Sequence, residues 1–155
     1  MLIYTIVHAL RRNLSSLRDE QIHDMCRAVI GNLSNNCIDD IHAIVAEHIA
    51  DLFEFVTRKY IANVEGGGET LCVYQDVLVS VLSLVDALLY DTPTHCPAMI
   101  YAMLSKRELV SALVSYSKLK SSARNVERVL THFGAVVRRE CQVSEGVSDV
   151  ELVQS

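Results

Sequence analysis

Apolar residues recur along most of this chain at steps of three and four positions, the spacing that places side chains on one face of an α-helix. The clearest stretch runs from Ile41 to Tyr60. Three glycines, 66–68, follow it and should end the helix, and Asp39 or Asp40 is a suitable N-cap residue. The stripe consists of Ile41, Ile44, Val45, Ile49, Leu52, Phe53, Val56 and Tyr60.

The stretch from Thr70 to Tyr90 carries the densest apolar pattern, and we predict that it forms the most buried helix. Its polar positions include Asp76 and Asp86. Carboxylates near the centre of a bilayer cost about 2.5–3.5 kcal/mol each, so we expect a core helix and no transmembrane segment. The stripe consists of Tyr74, Val77, Leu78, Val81, Leu82, Val85, Leu88 and Leu89, widened by Val79 and Leu84.

Four further segments show helical spacing, and no strand pattern persists. They are 19–33, with Ile22, Met25, Cys26, Val29, Ile30 and Leu33 facing inward, a short helix over 98–104, a helix opened by a capping box of Ser105 and Glu108, and a final helix over 122–139. The predicted fold class is all-α. Either an armadillo/HEAT-like α-solenoid or a compact antiparallel array of about six to seven helices fits, because no fixed repeat of about 40–47 residues is visible.

The first residues, MLIYTIVHALRR, form an apolar helical pattern with no capping residue before it. We favour the interpretation that the chain is the C-terminal piece of a longer protein, whose upstream part covers this helix. A helix docked on the chain's own core is the alternative. On the first interpretation an open apolar face should cause self-association, and Ile6→Glu should raise solubility. The face consists of Leu2, Ile3, Ile6, Val7 and Leu10.

Length and composition predict one globular domain. The chain has 155 residues, half of them hydrophobic, with a net charge of −5 and no tryptophan. This apolar fraction excludes an intrinsically disordered or collagen-like chain. We expect a helical domain over 1–139 and an acidic, frayed tail over 140–155.

The residues that could carry chemistry form no recognised pattern. The cysteines are odd in number and none are spaced as a zinc motif, which favours reduced thiols in a cytosolic protein. They are Cys26, Cys37, Cys72, Cys96 and Cys141. His95 and Cys96 are adjacent, so a small metal-binding protein or enzyme using them is the least favoured hypothesis. We predict a protein that is not an enzyme, with no catalytic, cofactor-binding or metal site.

Charge is distributed unevenly. Residues 105–139 hold eight basic and two acidic groups, whereas residues 1–104 hold six basic and thirteen acidic groups. Within the basic region, Lys118, Lys120, Arg124 and Arg128 cluster. They form either a solvated helix face or a patch that attracts anionic lipid or an acidic protein. We expect no nucleic-acid partner, because the chain is acidic overall and no aromatic residues are interleaved with the cluster.

Three stretches of the chain carry a recognisable series of motifs. The first contains Arg18-Asp19, His23, Cys26 and Leu33-Ser34. The second contains His42, Leu52-Phe53 and Arg58-Lys59. The third contains Pro97, Ile100, Tyr101, Ala102, Lys106-Arg107 and Glu108-Leu109. In this order, from about residue 5 to 137, they resemble the C-terminal part of the dymeclin family. The sequence departs from the family in having Cys96 before Pro97 and Leu2 after Met1, where the family has an acylation signal.

The resemblance implies a non-enzymatic helical scaffold in Golgi organisation and vesicle trafficking, which acts through protein–protein contacts. It implies a cytoplasmic location, peripheral on the Golgi membrane. An unrelated armadillo-type adaptor that binds peptides is the alternative.

Overall fold

The computed structural model describes residues 2–35, 41–66, 70–90 and 96–153, with side chains described as far as residue 140. Within these ranges the chain is helical and contains no strand, which confirms the all-α class; the solenoid type stays a prediction. The helices are α1 (Leu2–Arg12), α2 (Glu20–Asn35), α3 (Ala43–Gly66), α4 (Leu71–Tyr90), α5 (Pro97–Leu104), α6 (Arg107–Leu113) and α7 (Lys120–Val153), with a π-helical segment (Asn13–Leu17) after α1.

Helix α4 lies at the centre of the fold and packs against α2, α3, α5 and α7. It supplies eight buried apolar side chains, Val77, Leu78, Val81, Leu82, Leu84, Val85, Leu88 and Leu89. Over Leu71–Leu89 it is also long and apolar enough to cross a membrane, the one such helix among the described residues. The core helix of a globular domain has the same features, and the contacts of α4 agree with that prediction.

The corner between α1 and α2 is held by two polar side chains. The side chain of Asn13 is 1% exposed; its amide nitrogen donates to the Asp19 carbonyl over 2.8 Å, and its oxygen accepts from the Asp19 N–H over 2.9 Å. Asp19 in turn caps α2, accepting from the amides of Gln21 and Ile22. Arg18 stands between them in the left-handed region, with φ 52°. The predicted helix start near Asp19 is confirmed.

The expectation that α1 has an open apolar face is wrong. Val7 is 3% exposed and Leu10 is fully buried, because α1 packs against α2 and α3. Ile6 is 7% exposed, so a glutamate there would place a charge in the core instead of raising solubility. Leu2, at 59% exposed, does face water.

The predicted capping box of Ser105 and Glu108 and the predicted inward position of Met25 are wrong. Ser105 does not open a helix, since its hydroxyl donates back to the Ala102 carbonyl over 3.1 Å and α6 has no side-chain cap. Only Ser105 and Lys106 separate α5 from α6, and Ser105 is the C-cap residue of α5. Met25 is 64% exposed, because the inward face of α2 is narrower than its apolar stripe.

The ends of α3 and α7 differ from the sequence pattern. The predicted cap residues Asp39 and Asp40 lie outside the described residues, and His42 Nδ1 accepts the Ile44 N–H over 3.3 Å at the start of α3. Helix α7 starts at Lys120 and continues to Val153, past the predicted end at residue 139. No proline interrupts this stretch. The division into a domain, 1–139, and a frayed tail, 140–155, stays a prediction.

Candidate interaction surfaces

The four clustered basic residues lie together on the outside of the fold. Lys120, Arg124 and Arg128 are four positions apart on α7, which keeps them on one side of the helix with a rise of about 6 Å per step. Lys118 lies in the turn just before α7, and all four are exposed. None forms an ion pair with the part of the chain that the structure describes. We call these four residues the basic stripe.

The stripe is fixed by the apolar residues between its members. Leu119 is 2% exposed, and Ala123, Val126 and Leu130 are fully buried on the inner face of α7. Helix α7 packs by this face against α4 and α6, so its basic side chains are left on the outside. Two backbone hydrogen bonds stabilise the turn before α7. The N–H of Leu119 donates to the carbonyl of Tyr116, and the N–H of Tyr116 donates to the carbonyl of Leu113.

Other charged groups of this region are held by the fold. Lys106 pairs with Glu54 and lies 3.7 Å from a carboxylate oxygen of Asp51, both on α3. Hydrogen bonds from Lys106 and then from Arg58 hold the pKa of Glu54 below its usual value. Glu127, on α7 near the stripe, accepts a 2.6 Å hydrogen bond from Ser111 of α6. The four charges of the stripe, unlike those of Lys106, Glu54 and Glu127, have no such partner among the described residues.

The cysteine and histidine side chains that the structure describes form no metal site. Among the described residues, no three histidine, cysteine, aspartate or glutamate side chains lie close enough to hold a metal ion. His95 lies outside those residues, and Cys96 is buried. Burial raises the pKa of the Cys26 thiol. The rings of His8 and His48, on different helices, are 4.9 Å apart, a pairing that the sequence did not suggest.

A cleft of about 360 Å³, lined by the π-helical segment, α2 and the start of α4, was not predicted from the sequence. His23 lines it and is 8% exposed; burial, then the charge of Arg27, lower the pKa of its imidazole. Nη1 of Arg27 lies 3.6 Å from a carboxylate oxygen of Asp24 and 3.6 Å from one of Asp76. A signal was present: His23 and Arg27 are four positions apart on the face of α2 that also carries Cys26 and Ile30.

The family model described as "Dymeclin: Dyggve-Melchior-Clausen syndrome protein" matches residues 1–155. The protein named Dymeclin from Drosophila melanogaster is 25% identical over 171 residues, covering 97% of this chain and 24% of the relative. Dymeclin of Xenopus laevis is 25% identical over 151 residues, covering 86% and 22%. Dymeclin of Dictyostelium discoideum is 38% identical over 61 residues, covering 39% and 6%.

The chain thus spans about a quarter of the length of the animal relatives that it matches. No solved structure matches it.

Proposed function

Since this chain belongs to the dymeclin family, we propose that it is a non-enzymatic helical scaffold that serves Golgi organisation and vesicle trafficking by holding protein partners. The observation that carries the proposal is the family match over residues 1–155. It also argues against an unrelated armadillo-type adaptor. The basic stripe supports a binding role, because it presents exposed charges with which an external partner can pair.

The basic stripe supports a peripheral contact with the cytoplasmic face of the Golgi membrane. Each lysine or arginine close to an anionic membrane contributes about 1 kcal/mol of attraction. Four such residues along one side of α7 and its preceding turn give a modest, reversible contact, which suits a protein that is recruited and released. The proposed location is therefore cytoplasmic, with peripheral association at the Golgi.

Imaging and a secretion assay test this function. The chain, fused to a fluorescent protein, should overlap a Golgi marker in cells of its own organism. Loss of its gene should slow the secretion of a reporter cargo, and returning the chain should restore the rate. A chain spread evenly through the cytosol, together with normal secretion after loss of the gene, would contradict the proposal.

A matched pair of variants separates the stripe from the rest of the molecule. Arg124→Glu with Arg128→Glu should reduce the overlap with the Golgi marker. Arg12→Glu with Lys59→Glu changes the net charge equally at two exposed positions elsewhere and should leave the overlap unchanged. An equal loss of Golgi overlap in both double variants would show that the net charge of the chain, and not the position of the stripe, controls the overlap.

A further inference from the structure

We propose that Ser121 is a phosphorylation site and that its phosphate releases the basic stripe from an anionic membrane. The modifying enzyme is a protein kinase that selects serines flanked by basic residues, and its phosphoryl donor is ATP. This inference concerns the regulation of the stripe and rests on the membrane contact proposed above. It is supported by the charges around Ser121, by its exposed hydroxyl and by its place at the start of α7.

Basic residues stand on both sides of Ser121 in the sequence. Lys118 and Lys120 precede it by three positions and by one, and Arg124 follows it by three. Residues 109–126 contain no aspartate or glutamate, so no acidic side chain of this segment opposes a kinase groove lined with carboxylates. Charge patterns of this kind set which serines a kinase accepts. The sequence around the stripe is therefore suited to a kinase that recognises basic residues.

The hydroxyl of Ser121 is available, whereas those of comparable serines are held by the fold. Ser121 is exposed, and its hydroxyl forms no hydrogen bond within the part of the chain that the structure describes. Ser15, which also has arginines on both sides, donates to the carbonyl four residues before it over 2.8 Å. Ser111 donates to a carboxylate of α7 over 2.6 Å, and Ser115 to a backbone carbonyl over 2.9 Å. Ser122 is half-buried and hydrogen-bonds a carboxyl of α4. Modification of Ser121 therefore breaks no contact of this kind.

Ser121 is the second residue of α7, where the helix opens easily and where negative charge is favourable. The first hydrogen bond of the helix runs from the Ala123 N–H to the Leu119 carbonyl over 2.9 Å, so the amides of residues 120–122 have no acceptor within the helix. Helix ends open locally at low cost, which lets the serine enter a kinase cleft. The phosphate then lies at the positive end of the helix dipole. Phosphorylation is therefore compatible with the folded α7.

The modification is a phosphoryl transfer from Mg-ATP. Oγ of Ser121 attacks the γ-phosphorus, and the new O–P bond forms as the bond from that phosphorus to the β–γ bridging oxygen breaks. ADP leaves with the electron pair of the broken bond, and the hydroxyl proton passes to the catalytic aspartate of the kinase. The phosphoserine that results carries about −1.5 to −2 charges at pH 7.

This phosphate weakens the stripe in two ways. Its charge offsets about two of the four positive charges. It also accepts charge-assisted hydrogen bonds from Arg124, which lies three positions further along the same side of α7, and thereby removes that guanidinium from lipid. Each basic residue close to an anionic membrane adds a similar increment of attraction, so offsetting about two of them should weaken vesicle binding roughly 10–30-fold.

A kinase reaction tests the modification. The full chain is incubated with Mg-ATP and the catalytic domain of protein kinase C, which accepts serines flanked by basic residues. Mass spectrometry should locate phosphate on Ser121, and Ser121→Ala should remove that signal. Lys118→Gln with Lys120→Gln removes the basic residues before the serine and should slow the incorporation at this site. Thermal unfolding of each variant checks that the fold is intact.

Sedimentation with vesicles that contain phosphatidylserine tests the release. Ser121 is replaced by phosphoserine through genetic encoding, and the chain should then bind roughly 10–30-fold more weakly than the unmodified chain at the same salt concentration. Ser16 replaced by phosphoserine is the matched control. Ser16 is exposed on the π-helical segment, which packs against α1 and α2, so the same charge is added away from the stripe. This control should keep most of the binding.

Three outcomes would overturn the proposal and leave the membrane contact in place: no phosphate on Ser121 after the kinase reaction, unchanged vesicle binding with phosphoserine at position 121, or equal weakening by phosphoserine at position 16. If the unmodified chain binds no anionic vesicles, the membrane contact itself is wrong, and its regulation by Ser121 is wrong with it. Failure of the regulation and failure of the proposed membrane contact are therefore distinguishable.

Discussion

At the scale of single residues, the buried polar side chains of this protein differ in whether they have hydrogen-bond partners. Asn13 and His23 are both buried. Asn13 uses its donor and its acceptor on the backbone of Asp19, so its burial fixes a corner of the fold. Nε2 of His23 has no hydrogen-bond partner among the described residues, so the cost of burying its imidazole is not offset in the same way.

The apolar core gives a prediction at the same scale. Leu52 and Leu82 are each 1% exposed, and both were expected in the core from helical spacing. Leu52→Ala or Leu82→Ala should lower the free energy of unfolding by about 2–5 kcal/mol, because each removes buried methyl groups and leaves a cavity. Met25→Ala, at a position that is 64% exposed, should change it by less than about 0.5 kcal/mol. Urea unfolding measures all three, and an unchanged midpoint for either leucine variant would show that the helix facing is wrong.

At the scale of helices, polar side chains fix how neighbouring elements meet. Lys106, in the turn between α5 and α6, pairs with Glu54 of α3. Asn125 of α7 donates to a carboxylate oxygen of Asp86 on α4 over 3.3 Å. These contacts join helices far apart in sequence, and they depend on the charge state of the carboxyl groups. The stability of the α4–α7 contact is therefore expected to depend on pH.

Burial raises the pKa of the Asp86 carboxyl, although hydrogen bonds from Asn125 and Ser122 oppose the shift. The folded protein therefore binds the proton of the Asp86 carboxyl more tightly than the unfolded chain does. The resulting stabilisation is present below the ordinary carboxyl pKa of about 3.9 and is lost as the pH rises through the raised value. Asp86→Asn keeps an acceptor for Asn125 without a charge, so it should be more stable than the wild type at pH 7.

Urea unfolding from pH 4 to pH 7 measures this difference. The stability difference between Asp86→Asn and the wild type should grow as the pH rises through the raised pKa. Glu47→Gln changes an exposed carboxylate on α3 and should shift stability little at any pH. If Asp86→Asn is less stable than the wild type at pH 7, the ionised carboxylate is stabilising and the assignment is reversed.

At the scale of the whole molecule, charge is segregated over the surface. The basic stripe lies on α7 and the turn before it, whereas the cleft by α2 and α4 is lined by more carboxylates than cations. A chain with a net charge of −5 can therefore still present a basic surface to an anionic membrane.

Liposome binding tests this division. The chain should sediment with vesicles that contain phosphatidylserine, and binding should fade as salt rises above about 0.1 M, where exposed charges are screened beyond about 10 Å. Arg124→Glu with Arg128→Glu should abolish binding. Arg12→Glu with Lys59→Glu should leave most of the vesicle binding intact. Binding that ignores salt would instead assign the contact to an apolar surface such as exposed Leu2.

The sequence by itself determined the all-α class, the family and most of the core, because helical periodicity and dymeclin-like blocks are local properties of the chain. The spacing of three and four predicted that Leu52, Leu78 and Leu82 face inward, and they are buried. The basic stripe was also visible, since residues four apart share one side of a helix whatever surrounds it.

Only the tertiary structure decided which of several apolar or polar faces is covered. Helical spacing placed Met25 inside, and the uncapped apolar start of the chain favoured an open α1 over a helix docked on the chain's own core. Met25 is exposed and Leu10 is buried, because each depends on where α2 and α3 pack. The cleft likewise brings Asp76 of α4 to Arg27 of α2, a pairing between residues 49 positions apart in the sequence. Periodicity is a property of one helix, whereas burial and ion pairing belong to pairs of helices, so the structure alone could reveal them.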